Sequence, residues 1–287
     1  MSAEHHIRNP LELGLEQLMS NVADASHALH RPAPSRTVPV IRQIAPADLW
    51  DALAKGLGDL GAYRADIFFI GVIYPVAGLL LAQLLYGHGA LPLVFPLASG
   101  FALLGPFAAV GLYEISRRRE QGLAVTWGDA FGVVRSPAFG SIVGLGLVLM
   151  AIFLLWLGAA YAIYLATLGP QSPISVTTFV HDVFATPSGW AMIGVGLGIG
   201  FLFAAATLTL SVVSFPLLLD RNVGVGAAIA TSVRAVIANP GPMALWGAIV
   251  AGGLLIGSLP GLVGLIVVVP VLGHATWHLY RKVVAPD

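Results

Sequence analysis

All fourteen Lys and Arg residues of this 287-residue chain fall in alternate gaps between its long apolar runs. Six runs stand out, at 67–86, 91–112, 139–168, 190–219, 243–259 and 262–280, and they leave seven pieces between and around them. The odd pieces hold every cation: Arg8, Arg31, Arg36, Arg42, Lys55 and Arg64, then Arg117, Arg118, Arg119 and Arg135, then Arg221 and Arg234, then Arg281 and Lys282. The even pieces hold none. Lys and Arg gather on the cytoplasmic side of a membrane protein, so this alternation predicts that the odd pieces are cytoplasmic.

The composition requires lipid. Apolar residues make up 57% of the chain and charged residues 10%, against roughly 25% charged in a soluble domain. So few charges cannot cover a water-facing surface of this size. The formal net charge is zero, which gives no basis for nucleic-acid binding by bulk charge. Cysteine is absent, which excludes disulfides, thiolate metal sites and a cysteine nucleophile. Residues 1–46 contain no continuous apolar region, so no secretory signal is expected there.

A helix needs about 20 apolar residues to cross the hydrocarbon core. The third and fourth runs approach 30 residues and are expected to tilt or protrude. The fifth and sixth are parted only by Pro260-Gly261, where Pro removes a backbone donor and Gly permits a tight turn. The predicted fold is therefore all-α: a polytopic membrane helix bundle of six transmembrane helices in three hairpins, with both termini cytoplasmic. Trp190 and Tyr86 are expected to mark the outer interface, and Tyr113, Trp277 and Tyr280 the inner one. The stretch 169–189 is the one sizeable outer loop and carries the lone outer acid, Asp182.

A short amphipathic stretch precedes each outward-going run. They lie at 48–60, 127–135 and 225–238, and the last two stop at Ser136-Pro137 and Asn239-Pro240. A residue before Pro is pushed out of helical geometry, which explains those stops. In the first stretch Leu49, Leu53, Leu57 and Leu60 share one helical face. Three copies of an interfacial helix plus a membrane hairpin is one reading. The common need of any inner loop for an amphipathic approach to the membrane is the other. Residues 1–46 form a separate arm, and 47–287 the membrane domain. In the arm Leu11, Leu15, Leu18, Val22, Ala25 and Leu29 make a heptad stripe too short for a lone coiled coil. Residues 31–46 carry four prolines and are expected to be a linker.

Chemistry-bearing residues are few. Glu114 and Asp220 sit at inner helix ends beside Arg117, Arg118 and Arg221, where local ion pairing is expected. No carboxylate or His chain lies at mid-membrane depth, which argues against a proton-driven transporter. His274 and His278, four apart, share one face of the last helix near its inner end. They are candidate metal ligands, for copper or zinc as part of a larger site, or interfacial hydrogen-bonding groups. The two cannot ligate one haem from opposite sides, and no other His lies within a span. Hydrolase and phosphate-loop motifs are missing. The run Arg117, Arg118, Arg119 serves as a topology anchor and can attract anionic lipid at about 1 kcal/mol per cation. Gly194, Gly196, Gly198 and Gly200, with Gly140, Gly144, Gly253 and Gly257, are candidates for close helix packing. Pro92, Pro96, Gly100, Gly105 and Pro106 predict a bent or broken second helix.

Three stretches carry a resemblance. PLASGFALLGPFAAVGLYEISRRRE at 96–120, FPLLLDR at 215–221 and GHATWHLYR at 273–281 resemble a bacterial family of predicted integral membrane proteins, domain of unknown function 2189. The resemblance runs from about Leu49 to Val284 and implies no established activity. A cytochrome oxidase label attached to some members implies haem or copper, for which His274 and His278 are too few. The combined reading is a bacterial inner-membrane protein, non-enzymatic, a scaffold or accessory subunit with no cofactor expected. Its expected partners are the lipid bilayer and other membrane subunits or further copies of itself, with no nucleic acid. The alternatives are a channel or facilitator for a small neutral or lipidic solute, and a metal- or haem-binding accessory protein of a respiratory oxidase. The inner-face residues expected to matter are Glu114, Arg117, Arg118, Asp220, Arg221, Trp277 and Tyr280.

Overall fold

Lipid-facing runs and a charged end are both visible in the structure. It is a computed structural model that describes residues 39–62, 83, 91–170, 175–221 and 223–286. The described residues form helices, turns and one isolated antiparallel bridge between Ile41 and Val284. Four of the helical stretches are long and apolar enough to cross a membrane: Leu91–Glu120, Phe139–Thr167, Pro187–Asp220 and Pro240–Ser258. The first expected run at 67–86, with Tyr86, His88 and the heptad stripe of the arm, lies outside the described residues.

Helix α1 (Pro46–Ala62) is the first amphipathic stretch. It buries the expected leucine face only in part, with Leu49 and Leu60 buried and Leu53 packed against the core. Leu49, Ala52, Gly56, Asp59 and Leu60 are buried, whereas Leu57 is exposed. The face is set by how closely α1 lies on the last helix, α11 (Leu265–Val283). A Cβ on Gly56 would stand 2.7 Å from the backbone nitrogen of Ala275, so only glycine admits this approach.

The second run is broken, as its prolines and glycines predict. It comprises a 3-10 turn (Leu91–Leu93), α2 (Val94–Phe101), another 3-10 turn (Ala102–Leu104), α3 (Gly105–Ala108) and α4 (Val110–Glu120). Side chains from the third run fill the break. The Trp156 indole donates to the Pro96 carbonyl at 2.8 Å, and a Cβ on Gly100 would strike the Trp156 and Phe153 rings. Trp156→Phe is expected to lower stability by about 1 kcal/mol, since it keeps the ring but deletes a buried donor; a fall in the thermal unfolding midpoint in detergent checks this.

A nine-residue 3-10 helix (Trp127–Arg135) forms the second amphipathic stretch. A capping box starts it, with Thr126 and Asp129 each accepting from the other's backbone. Ser136, before Pro137, turns extended and ends it. Helix α5 (Phe139–Thr167) then runs 29 residues, about 43 Å at 1.5 Å per residue and longer than the ~30 Å core. The stretch 169–189 is not a plain loop. It holds α6 (Val176–Ala185), capped by Ser175, and Thr186 caps α7 (Pro187–Ser211) with Pro187 in its first turn. A turn at 212–213 separates α7 from α8 (Ser214–Asp220). The third amphipathic stretch is α9 (Val225–Ala238), stopped at Asn239, and α10 (Pro240–Ser258) follows.

The α10–α11 turn falls at 259–264, with Gly261 at φ +60°. A Cβ on Gly264 would lie 2.7 Å from the Gly257 carbonyl oxygen, so glycines do bring these helices together. The glycines at 194, 196 and 198 do not: a Cβ there meets open space. Their helix is lined by exposed Val195, Leu197, Phe201 and Leu202, as lipid contact requires.

Only the first part of α11 is apolar. From Gly273 onward it packs against α1 and α4, and α11 is not among the stretches long and apolar enough to cross. The main buried core sits at this charged end, with Leu49, Leu112, Phe215, Leu217, Trp246, Trp277 and Val283 in one cluster. Each such side chain contributes about 1.5–3 kcal/mol by leaving water. Tyr113, Trp277 and Tyr280, expected as headgroup-level rings, are core residues here. Glu120 accepts from the Trp277 indole and Asp220 from the Tyr280 phenol, in place of headgroups. Trp190 is exposed, as an interfacial ring should be.

Residues 39–45, part of the expected linker, are tied to the rest of the described residues. Arg42 N–H donates to the Val283 carbonyl at 2.7 Å and Ala285 N–H to the Val40 carbonyl at 3.0 Å. The buried Asn239 side chain accepts from Ile44 N–H at 2.8 Å and donates to the Arg42 carbonyl at 3.1 Å.

Candidate functional site

At the charged end, α1, α4 and α11 enclose Asp59, Ser116, His274 and His278. Asp59 is 5% exposed, Ser116 0% and His274 3%. The Ser116 hydroxyl donates to Asp59 Oδ2 at 2.6 Å, and His274 Nδ1 lies 2.8 Å from Ser116 Oγ. His278 Nε2 reaches the same Asp59 oxygen at 2.8 Å, and Arg119 Nη1 donates to Asp59 Oδ1 at 2.7 Å. Asp59 is therefore the hub that joins three helices.

The carboxylate fixes the direction of the bonds made to it. An ionised carboxylate only accepts, so Ser116 gives its single proton to Asp59 and His278 donates through Nε2–H. His274 Nδ1 faces the same hydroxyl oxygen, and its donor or acceptor role there depends on the imidazole tautomer. The Ser116 hydroxyl proton is thus spent on a carboxylate, whereas a serine nucleophile donates it to a histidine base. Burial alone pushes the Asp59 carboxyl up. The hydrogen bonds from His278 and Ser116, with the nearby imidazoles, outweigh burial and hold it below its ordinary 3.8. A depressed carboxyl adds stability that is present above the unfolded value and lost as pH falls through the folded one. The stability gap between wild type and Asp59→Asn should thus stay constant above about pH 5 and close under more acidic conditions; unfolding midpoints of both proteins across pH measure it.

The residues expected at the inner face form two neighbouring clamps. Glu114, buried, accepts from Arg117 Nε at 2.8 Å and Nη2 at 3.0 Å, and from Arg118 Nε at 2.7 Å. Arg118 reaches on to Asp129 at 2.6 Å and ties α4 to the 3-10 helix. Asp220 accepts from Tyr280 Oη at 2.6 Å and from Arg281 Nη1 at 3.5 Å, with Arg221 Nε 3.9 Å away. Glu120 receives the Trp277 indole at 3.0 Å and Arg281 Nε at 3.0 Å. Lys282 bridges Asp48 and Asp51 of α1, both at 2.9 Å. One helix, α11, thus stitches three others through residues at helical spacing.

The structure brings Glu114 together with Arg117 and Arg118, and Asp220 with Arg221 and Tyr280. It joins His274 and His278 through one carboxylate. Among the described residues no group of three or more His, Asp or Glu is placed to hold a metal ion. Asp59, Ser116, Arg119, Glu120 and Arg281 are the residues sequence reasoning missed. The spacing 49, 52, 56, 59 gives Asp59 the same helical face as the buried small residues of α1, and that was its signal.

The family model described as Predicted integral membrane protein (DUF2189) matches residues 94–220. The match holds the first of the three resembling stretches and all of the second but Arg221, and leaves GHATWHLYR at 273–281, with both histidines, beyond it. It also leaves out Asp59. No curated protein and no solved structure matches the chain. With four helices long and apolar enough to cross a bilayer, the chain is a membrane protein, and over residues 94–220 it is similar to a family described only as predicted integral membrane proteins.

Proposed function

We propose that the chain is a non-enzymatic scaffold or accessory subunit of the bacterial inner membrane, multi-pass, with its charged end in the cytoplasm. The observation that carries this is the buried Asp59 hub. Ser116, His278 and Arg119 all bond to one buried carboxylate, and the result holds three helices together. Helix α1 keeps Trp50 and Leu57 exposed on its outward side, seven residues apart and so on one stripe suited to a partner. The one-sided cations support the orientation. The broken second helix, which motivates a facilitator, is packed at its break by Trp156 and by Phe107 against Gly146, and this favours the scaffold.

Cross-linking in native membranes followed by mass spectrometry tests the reading. Reproducible cross-links from the charged end to another subunit are expected, and recovery only as a lone monomer would count against it. A reporter fused after Asp287 should read cytoplasmic; a periplasmic reading would overturn the orientation.

A further inference from the structure

Beside the clamps, between α4, α8 and the Trp127–Arg135 helix, lies an open cleft of about 310 Å³. Arg117, Arg118, Arg135 and Arg221 line it, against only two carboxylates, Glu114 and Asp220. Both carboxylates are engaged: Glu114 by Arg117 and Arg118, Asp220 by Tyr280 and Arg281. Arg118 is also paired with Asp129 and Arg221 stands 3.9 Å from Asp220, which leaves Arg135 as the lining cation with no acid beside it among the described residues. Arg135 is exposed and has no hydrogen bond or ion pair among the described residues. Next to it Ser136 also lines the cleft, and its hydroxyl accepts from Ala138 N–H at 3.2 Å while keeping its own proton to donate.

Surplus guanidinium charge with a hydroxyl donor suits tetrahedral oxyanions, since the planar fork of Arg matches phosphate oxygens in pairs. We propose that this cleft binds a phosphate-bearing anion, with Arg135 as the guanidinium that closes on it. The surroundings make a phospholipid headgroup the natural source. Phe131 and Val134 are exposed on the same short helix, and Phe139 begins the membrane-length α5 beside it. The cleft also has apolar walls at Leu218 and Leu219. A headgroup held at the arginines would leave its acyl chains along this apolar surface. Free inorganic phosphate shares the recognised chemistry and is the second source.

The test uses the full chain in nanodiscs of phosphatidylcholine alone and of phosphatidylcholine with phosphatidylglycerol in equal parts. A bound anion raises the unfolding midpoint by mass action. Wild type is expected to unfold higher in the phosphatidylglycerol discs, and Arg135→Gln to lose that rise while matching wild type in phosphatidylcholine. Inorganic phosphate titrated into phosphatidylcholine discs, at ionic strength held with sodium chloride, is the second arm. A rise there that Arg135→Gln right-shifts about tenfold assigns the site to free phosphate. Arg234→Gln removes an exposed cation of α9 outside the cleft and should keep every response. The proposal is overturned if neither probe shifts wild type, if Arg135→Gln responds as wild type does, or if Arg234→Gln loses as much as Arg135→Gln.

Discussion

Asp59→Ala is expected to destabilise the protein by about 3 kcal/mol, the low end of the range for removing one partner of a buried ion pair. The substitution takes the acceptor from Ser116, His278 and Arg119 at once. Ser116 is fully buried, and His274 behind it is nearly so. Neither can turn to water, so the lost bonds leave unpaired donors in an apolar surround. Arg119 is the exception. Its side chain is 39% exposed and rehydrates easily, which keeps the cost from the upper end of the range. Asp59→Asn retains the shape and one acceptor and should cost less, about 1–2 kcal/mol. Thermal unfolding in detergent, followed by fluorescence of the buried Trp246 and Trp277, reads both. An Asp59→Ala midpoint equal to wild type would show that the three donors find other partners, and the hub would be no hub.

Much of the helical plan was legible because its causes are local. Pro92, Pro96 and Pro106 each remove a backbone donor, which makes a break in the second run readable from the sequence. Ser136-Pro137 and Asn239-Pro240 stop their helices for the same reason. The long α5 and α7 follow from unbroken apolar runs. What the sequence concealed depends on pairing between distant elements. Leu49, Leu53, Leu57 and Leu60 make as good a helical face as Leu49, Ala52, Gly56 and Asp59. Choosing between them requires knowing that α11 lies on α1. Trp277 and Tyr280 were expected at headgroup level because their amphipathic rings favour that level. The partners that draw them inside, Glu120 and Asp220, stand 157 and 60 positions away. His274 and His278 share one face, as their spacing of four predicts, but the carboxylate that joins them is 219 positions from His278.

Gly56→Val is expected to detach α1 from α11, at a cost of about 3 kcal/mol or more for a clash that rotamer changes cannot relieve. A Cβ at this position would stand 2.7 Å from Ala275 N, 2.8 Å from Ala275 Cβ and 2.8 Å from the Val271 carbonyl oxygen. Two of these are backbone atoms of a packed helix, so relief requires the helices to separate. Asp59 follows Gly56 by three residues on the same face, and its bonds to His278 and Ser116 are short. Separation at Gly56 must therefore loosen the Asp59 hub as well. Two consequences distinguish this account from a general dislike of substitution in α1. Gly58, whose Cβ would meet open space, should accept Ala with a gain of about 0.5–1 kcal/mol, because alanine favours the helix. The double variant Gly56→Val with Asp59→Ala should cost less than the sum of its parts, since the first change already empties the site of the second. Hydrogen exchange over 46–62 supplies the local readout: faster exchange in Gly56→Val and none of it in Gly58→Ala. Equal exchange and equal midpoints in the two variants would mean that α1 is held by its Lys282 and Arg119 ion pairs alone, with the close helix contact contributing nothing.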